Sequence, residues 1–344
     1  MQVVYTEDHR QHHPRHFLVN GAQHESPEVP ERADRLLAAA RAGGHGIVGR
    51  QHFGRGPVAD IHTPEYLQFL EHIVTRWRRI EGASEEVIPN IHPQGRWQTG
   101  YPASAVGQAG WHQADTACPI SEGTWEAALA SADVAVTGAE IVRQGARAAY
   151  TLCRPPGHHA YPDMAGGFCF LNNSAIAAQW LRRTHSRVAI LDIDVHHGNG
   201  TQGVFYSRPD VLTVSLHADP VRFYPFFWGH ANERGEGDGT GYNLNVPLPR
   251  GTDTAGYLQA MDRAFQRIRA FAPTALVVAL GLDPHEDDPL KGLSITTEGF
   301  AEIAARIAGL KLPTLLVQEG GYLSDALGDN LKSFLSGFEA AAGS

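Results

Sequence analysis

From Ala148 onward, short apolar runs alternate with longer stretches in which apolar residues recur three or four apart. Val188–Ile193 is apolar and rich in β-branched residues, broken only by Asp192, and so predicts a strand buried on both faces of a parallel sheet. Ala148–Cys153, Val211–Leu216, Ala275–Gly281 and Thr314–Gln318 read in the same way. Between and after them, helical spacing predicts Asn173–Arg183, Thr254–Phe271, Thr297–Ala308 and Asp325–Gly337. Further upstream, Val3–Tyr5 reads as a strand and Ala33–Gly43 as a helix ended by Gly43-Gly44. Pro64–Ile80 is amphipathic through Tyr66, Phe69, Leu70, Ile73, Val74 and Trp77, and Gly123–Gly145 is an alanine-rich helix. Gly82–Glu122 has no clear period, but Trp97, Tyr101 and Trp111 give it something to bury. The alternation predicts the α/β class, with a single open, mainly parallel sheet and helices on both faces. No internal repeat or domain boundary shows, so residues 1–344 are expected to form one domain with an irregular insertion at about 82–122.

Composition narrows the function more than the fold. With 344 residues, 42% hydrophobic and 19% charged, the chain has ordinary globular make-up. A formal net charge of −9 and no basic stripe exclude a nucleic-acid groove, and bias encounter weakly toward small cationic substrates. Three cysteines without paired spacing argue against a disulfide framework or a cysteine-based metal site. No signal-like core and no membrane-length apolar run appear, so a cytoplasmic protein is expected. Of the nineteen histidines, those near the start (His12, His13 and His16) are expected in loops or at the surface.

The chemistry gathers where the predicted strands end. Four of them run into polar, glycine-rich tails: Arg154-Pro-Pro-Gly-His-His159, Asp192-Ile-Asp-Val-His-His-Gly-Asn-Gly200, Gly281-Leu-Asp-Pro-His-Glu-Asp-Asp288 and Glu319-Gly-Gly-Tyr322. Ligands of open α/β sheets bind beyond the carboxyl ends of strands, so the four tails point to one site along one edge. Alternate residues of an extended segment share a side, which lets Asp192, Asp194 and His196 face one way. Carboxylates and an imidazole converging at a strand mouth suit a divalent metal.

These tails, in this order, together with Gly166-Gly-Phe-Cys-Phe-Leu-Asn-Asn173, Asp287-Asp-Pro289 and Pro30-Glu-Arg32, resemble the zinc-dependent deacetylases. That family groups histone deacetylases with bacterial acetylpolyamine amidohydrolases and acetoin-utilisation proteins. The Gly123-Thr-Trp-Glu-Ala127 helix start and the His217-Ala-Asp-Pro220 loop look most like the acetylpolyamine amidohydrolase branch. The resemblance implies an arginase/deacetylase-like fold and one catalytic Zn2+ per chain, with Fe2+ as the alternative, held by Asp194, His196 and Asp283. It implies that His159 is the general base and later acid, and that His158, backed by Asp192, holds the water. Tyr322 would donate to the carbonyl oxygen, and Gly167, Phe168 and Tyr224 would line the slot. A structural K+ site maps to Asp192, Asp194, His196, Ser215 and Leu216, and a second cation site to Phe205, Arg208, Val211 and Tyr242, mostly through carbonyls.

The sequence departs from the family's pattern twice. Asn199 partners His159 where some relatives carry Asp, and Ala117 stands where relatives often place an acid at the rim, leaving Asp115 as the nearest candidate substrate contact. The expected activity is deacetylation of acetylpolyamines or other small acetylated amines, with acetyl-lysine proteins as the alternative. A dinuclear manganese ureohydrolase would need a second set of carboxylates, and a non-catalytic acyl-ligand sensor would not need Tyr322. In the acetylpolyamine branch an insertion like 82–122 packs across a subunit boundary. A homodimer is therefore expected, with Trp97, Tyr101 or Trp111 among its contacts and a slot for slender amines.

Overall fold

Each apolar run read from the sequence is a strand of one sheet. The computed structural model describes residues 1–95 and 100–343. In chain order its elements begin with β1 (Gln2–Tyr5), β2 (His16–Val19), β3 (Ala22–Glu25), α1 (Pro30–Ala42), β4 (Gly46–Gly49), α2 (Gly56–Ala59), α3 (Pro64–Trp77), α4 (Ala105–His112) and α5 (Thr124–Arg143). They continue with β5 (Ala148–Thr151), α6 (Asn173–Leu181), β6 (Val188–Asp192), α7 (Asn199–Phe205), β7 (Val211–Ala218), β8 (Asn243–Leu248), α8 (Thr254–Phe271), β9 (Ala275–Leu280), α9 (Thr297–Ala308), β10 (Thr314–Gln318) and α10 (Leu327–Ala342).

Eight strands form the sheet in the order β4-β1-β5-β10-β9-β6-β7-β8, every neighbouring pair parallel. The order places β5, β10, β9 and β6 side by side, although their residues are far apart in the chain. All four polar tails therefore leave the same edge from adjacent strands. Along β6, Val188 and Ile190 join one apolar cluster while Ala189 and Leu191 join the other. The first cluster also holds Tyr66, Phe69 and Ile176 of α3 and α6, and the second holds Leu36, Phe265, Phe300 and Phe334 of α1, α8, α9 and α10. Period-2 alternation buries both faces because helices cover both.

The structure corrects the reading in places. Residues 82–122 are not irregular throughout: α4 caps itself through Ser104 Oγ, which accepts from Gly107 N at 3.0 Å. Helix α10 runs five residues past the expected end at Gly337, to Ala342. A β2–β3 hairpin turns at Asn20-Gly21, both at positive φ (53° and 74°), the geometry of a type I′ turn. His12 lies in a loop but is buried, its Nδ1 2.9 Å from Thr124 Oγ1 and its Nε2 3.5 Å from Glu28, and His16 opens β2. Trp97 lies outside the described residues.

Candidate active site

Strand β6 ends at Asp192, and the extended chain beyond it places Asp194 and His196 on one side, as alternation requires. Asp283 arrives from the tail of β9, the neighbouring strand, and ligand atoms of Asp194, His196 and Asp283 all lie within 4.8 Å of one another. His196 Nδ1 faces Asp194 Oδ1 at 3.2 Å and Asp283 Oδ2 at 3.3 Å. Backbone amides brace the carboxylates: Gly320 N–H donates to Asp194 Oδ2 at 2.8 Å and Val195 N–H to Asp283 Oδ1 at 3.0 Å. Asp283 Oδ2 is buried without a hydrogen-bond partner, a costly state for a carboxylate oxygen unless a cation sits beside it. Burial, then the charge of Asp194, pushes Asp283 up to about 7. Carboxylate oxygens and one imidazole nitrogen converging here, with Asp283 Oδ2 unpartnered, fit a single zinc-like ion.

The tail of β5 brings two histidines to the same point, their ring centroids 4.0 Å apart. His158 Nδ1–H donates to Asp192 Oδ2 at 2.9 Å, and His159 Nδ1–H to Asn199 Oδ1 at 2.6 Å. Burial disfavours both imidazolium forms, but around His158 the charges of Asp194 and Asp192 outweigh it and raise the ring to about 10. Around His159 burial is reinforced by the charges of His158 and His196, and its pKa falls well below the ordinary value. The two adjacent rings therefore sit in opposite electrostatic surroundings.

Tyr322 follows the tail of β10. Burial pushes its phenol well above the usual range, so the hydroxyl remains a donor. Its N–H donates to Asp288 Oδ2 at 2.9 Å, and the Arg32 guanidinium sits 4.6 Å from its ring centroid. Arg32 also donates to the carbonyls of Gly321 (2.6 Å) and Glu319 (2.8 Å), gripping the turn on both sides. Glu28, fully buried, receives Arg32 at 2.6 Å and Arg154 at 2.9 Å. Glu319 accepts from the N–H groups of Gly157 (2.6 Å) and His158 (3.0 Å) and from Ser174 Oγ (2.8 Å). His158, Cys169 and Glu319 form a second group of metal-ligand types, but Glu319 already spends both oxygens on those donors. It is a strut between two tails, and among the described residues the two groups of metal-ligand types share no further carboxylate pair.

A slot of about 140 Å³ leads to this cluster between Phe168 and Tyr322 on one side and Tyr224 on the other. Phe168 and Tyr322 stand 5.9 Å apart in a T-shaped pair, and Tyr224 packs edge-on to His159 at 4.9 Å. A Cβ on Gly167 would fall 2.5 Å from His159 Cδ2 and 2.8 Å from the Tyr224 hydroxyl, so only glycine fits there. Asp115 reaches this wall: its carboxylate accepts from Tyr224 O–H (2.6 Å), Gly167 N–H (3.2 Å) and Ala117 N–H (2.8 Å).

The sequence reading missed roles for Glu28, Arg32 and Glu319, and for Phe17, Val19 and Leu290, which also line the slot. Arg32 and Glu319 stood inside the quoted motifs; the hairpin carrying Phe17 and Val19 was signalled only by Asn20-Gly21. Asp192 and Ser215 are cross-strand partners in β6 and β7, with Leu216 next in the strand. Of the second cation set, Phe205 and Tyr242 offer carbonyls that accept from Arg208 N–H and Thr213 N–H, both at 3.0 Å.

Comparison with known proteins agrees with this fold. Residues 26–338 match the histone deacetylase domain family. The chain is 47% identical to the acetylpolyamine amidohydrolase of Burkholderia pseudomallei (strain 1710b), covering 100% of both chains. It is 45% identical to acetylpolyamine amidohydrolase 1 of Pseudomonas aeruginosa, over 99% of this chain and 100% of that one. A crystal structure of acetylpolyamine aminohydrolase from Burkholderia pseudomallei, an iodide soak, superposes with a TM-score of 0.97, covering 99% of each chain.

Proposed function

The chain belongs to the histone deacetylase family and is a deacetylase hydrolase, and on that premise we propose that it removes acetyl groups from small amines, acetylpolyamines first among them. The observation that carries the substrate class is the full-length likeness to acetylpolyamine amidohydrolases, and the slot fits it: about 140 Å³ between aromatic walls admits an unbranched stem and ends on His158, His159 and Tyr322.

Asp194, His196 and Asp283 would hold one zinc ion, or ferrous iron, which when bound supplies Lewis-acid chemistry to the amide carbonyl and the attacking water. His159, neutral, takes a proton from that water through Nε2 and returns it to the leaving amine. His158, locked by Asp192, orients the water and stabilises developing negative charge. The Tyr322 hydroxyl donates to the carbonyl oxygen as charge grows on it, from a turn fixed by Arg32 and Asp288. Gly167, Phe168 and Tyr224 align the stem so that the amide meets these groups.

A potassium ion would sit among Asp192, Asp194, His196, Ser215 and Leu216, supported by the pairing of Asp192 with Ser215. A second would use carbonyls at Phe205, Arg208, Val211 and Tyr242. We place the protein in the cytoplasm as a homodimer: its three cysteines are buried and free, no helix among the described residues could cross a membrane, and Ile91 and Tyr101 of the 82–122 segment are exposed.

A panel of acetylated polyamines, acetyl-lysine peptides and acyl anilides, assayed on metal-replete protein, tests the reading. Acetylated polyamines should give the highest kcat/KM. A higher value on acetyl-lysine peptides would make it a protein deacetylase, and no turnover on any acyl-amine would make it a binding protein.

A further inference from the structure

Asp287-Asp288-Pro289 follows the tail of β9, and its two carboxylates have opposite settings: Asp287 is exposed and Asp288 is buried. Asp288 spends both oxygens on backbone amides. Its Oδ1 accepts from Leu290 N–H and its Oδ2 from Tyr322 N–H, each at 2.9 Å. Leu290 and Tyr322 both line the slot. One carboxylate thus joins a piece of the slot wall to the residue that donates to the carbonyl oxygen.

The turn that carries Asp288 is anchored in its own right. Asp288 N–H donates to His285 O, and Lys291 N–H donates to Asp288 O, both at 3.1 Å. Lys291, at φ of 47°, has its carbonyl held by Arg250 at 2.9 Å, and Gly292 O accepts from Gly251 N–H at 3.0 Å. A Cβ on Gly292 would fall 2.3 Å from Val195 Cγ2 and 3.0 Å from Phe223 Cζ, and Phe223 in turn stacks on His196 at 5.0 Å. The turn therefore packs against the segment that carries Asp194 and His196, which makes Asp288 a fixed post.

On the other side, Arg32 grips the carbonyls of Glu319 and Gly321, which precede the tyrosine, whereas Asp288 holds the N–H of Tyr322 itself. The hydroxyl is the far end of that side chain, so a tilt at the backbone grows along it. A displacement of about 1 Å at a reacting group costs about a hundredfold in rate. An ionised acceptor holds an amide more tightly than a neutral one. Resting on the oxyanion role given to Tyr322 above, and on no choice among amines, we propose that Asp288 is a positioning residue for catalysis. Through Oδ2 it aims the Tyr322 hydroxyl, and through Oδ1 it holds the Leu290 wall.

The test is a double-mutant cycle on metal-replete protein, using the best substrate of the panel above. Asp288→Ser leaves an oxygen that reaches the N–H two residues on, at Leu290, but stops short of Tyr322. It should lower kcat about tenfold with KM nearly unchanged. Asp288→Ala frees both amides and should lower kcat similarly while raising KM. In either background Tyr322→Phe should cost less than about tenfold, against about a hundredfold in the parent, because the hydroxyl it removes is no longer aimed. Metal content and unfolding midpoint, read for every variant, confine the comparison to folded, loaded protein; where one Asp288 variant fails to fold, the cycle in the other decides. An undiminished cost of Tyr322→Phe in a folded Asp288 variant would overturn the positioning role and leave the oxyanion role standing. No cost of Tyr322→Phe in the parent would remove the oxyanion role and this inference with it.

Discussion

A Cβ on Gly320 would lie 2.2 Å from Asp283 Oδ2 and 2.5 Å from Asp194 Oδ2, so the backbone itself closes one side of the carboxylate cluster. Packing that tight leaves the orphaned oxygen of Asp283 little besides an ion to meet. Asp194→Ala and Asp283→Ala should therefore lose bound metal and activity together, read by elemental analysis alongside turnover. Full activity with one metal retained per chain would remove the ligand assignment. The acid–base and oxyanion groups should separate from the metal. His159→Ala and Tyr322→Phe are each expected to cut turnover about a hundredfold or more with metal content intact. Turnover of Tyr322→Phe at the parent rate would end the oxyanion role. These residues were legible in the sequence because each sits in a polar tail after a buried strand. Arg32 and Glu319 were not, since their work is done on backbone carbonyls and amides that no residue pattern announces.

Strands with strong apolar runs were read correctly because burial on both faces leaves them no polar positions to blur the signal. Those at the sheet margins were not. Gly46–Gly49 has two apolar residues between glycines, and Asn243–Leu248 carries two asparagines and Pro247, which an edge strand tolerates and a central one does not. Helix α4 was hidden by Gly107 and Gly110, and the second is obligatory: a Cβ there would fall 1.8 Å from Ile91 O. Between helices, chemistry as well as apolar spacing makes the joint. Glu140 of α5 accepts from Trp180 Nε1 of α6 at 3.0 Å and from Arg143 at 2.5 and 2.6 Å. The Arg143 hydrogen bonds, with burial opposing and Trp180 assisting, hold the carboxyl down to about 2. A folded-state value below the unfolded one stabilises fully above the ordinary carboxylate range. That contribution is lost as pH falls from about 4.5 toward 2. Arg143 is 35% exposed, so water screens the pair and the effect is small. Glu140→Gln should lower Tm slightly at pH 7, with the gap to the parent closing as pH drops through that window. A gap independent of pH would mean that the charge contributes nothing.

At the scale of the whole molecule, the 82–122 segment is held to its own subunit at several points. Val87 and Ile120 exchange backbone hydrogen bonds, Arg76 donates to Ala103 O at 2.8 Å, and Tyr101 stacks edge-on against Trp111 at 5.7 Å. A lid folded back on itself would be complete with those contacts, and it would not need to show apolar surface. Ile91 nevertheless remains 60% exposed and Tyr101 46% exposed. They belong to the segment that supplies His92, Pro93 and Trp111 to a larger chamber that shares Val19, Ala117 and Tyr224 with the slot. Exposed apolar groups beside a substrate entrance fit a subunit contact that also narrows the entrance. The intact protein should therefore sediment as a dimer. Ile91→Glu with Tyr101→Glu should shift it toward monomer, because a carboxylate at each centre of contact would have to be desolvated to bind. Replacing residues 89–108 by a short linker should also raise activity on bulky acetyl-lysine peptides relative to small amines. A monomeric parent would exclude the dimer. A dimeric linker variant with no gain on peptides would leave the segment as neither interface nor size filter.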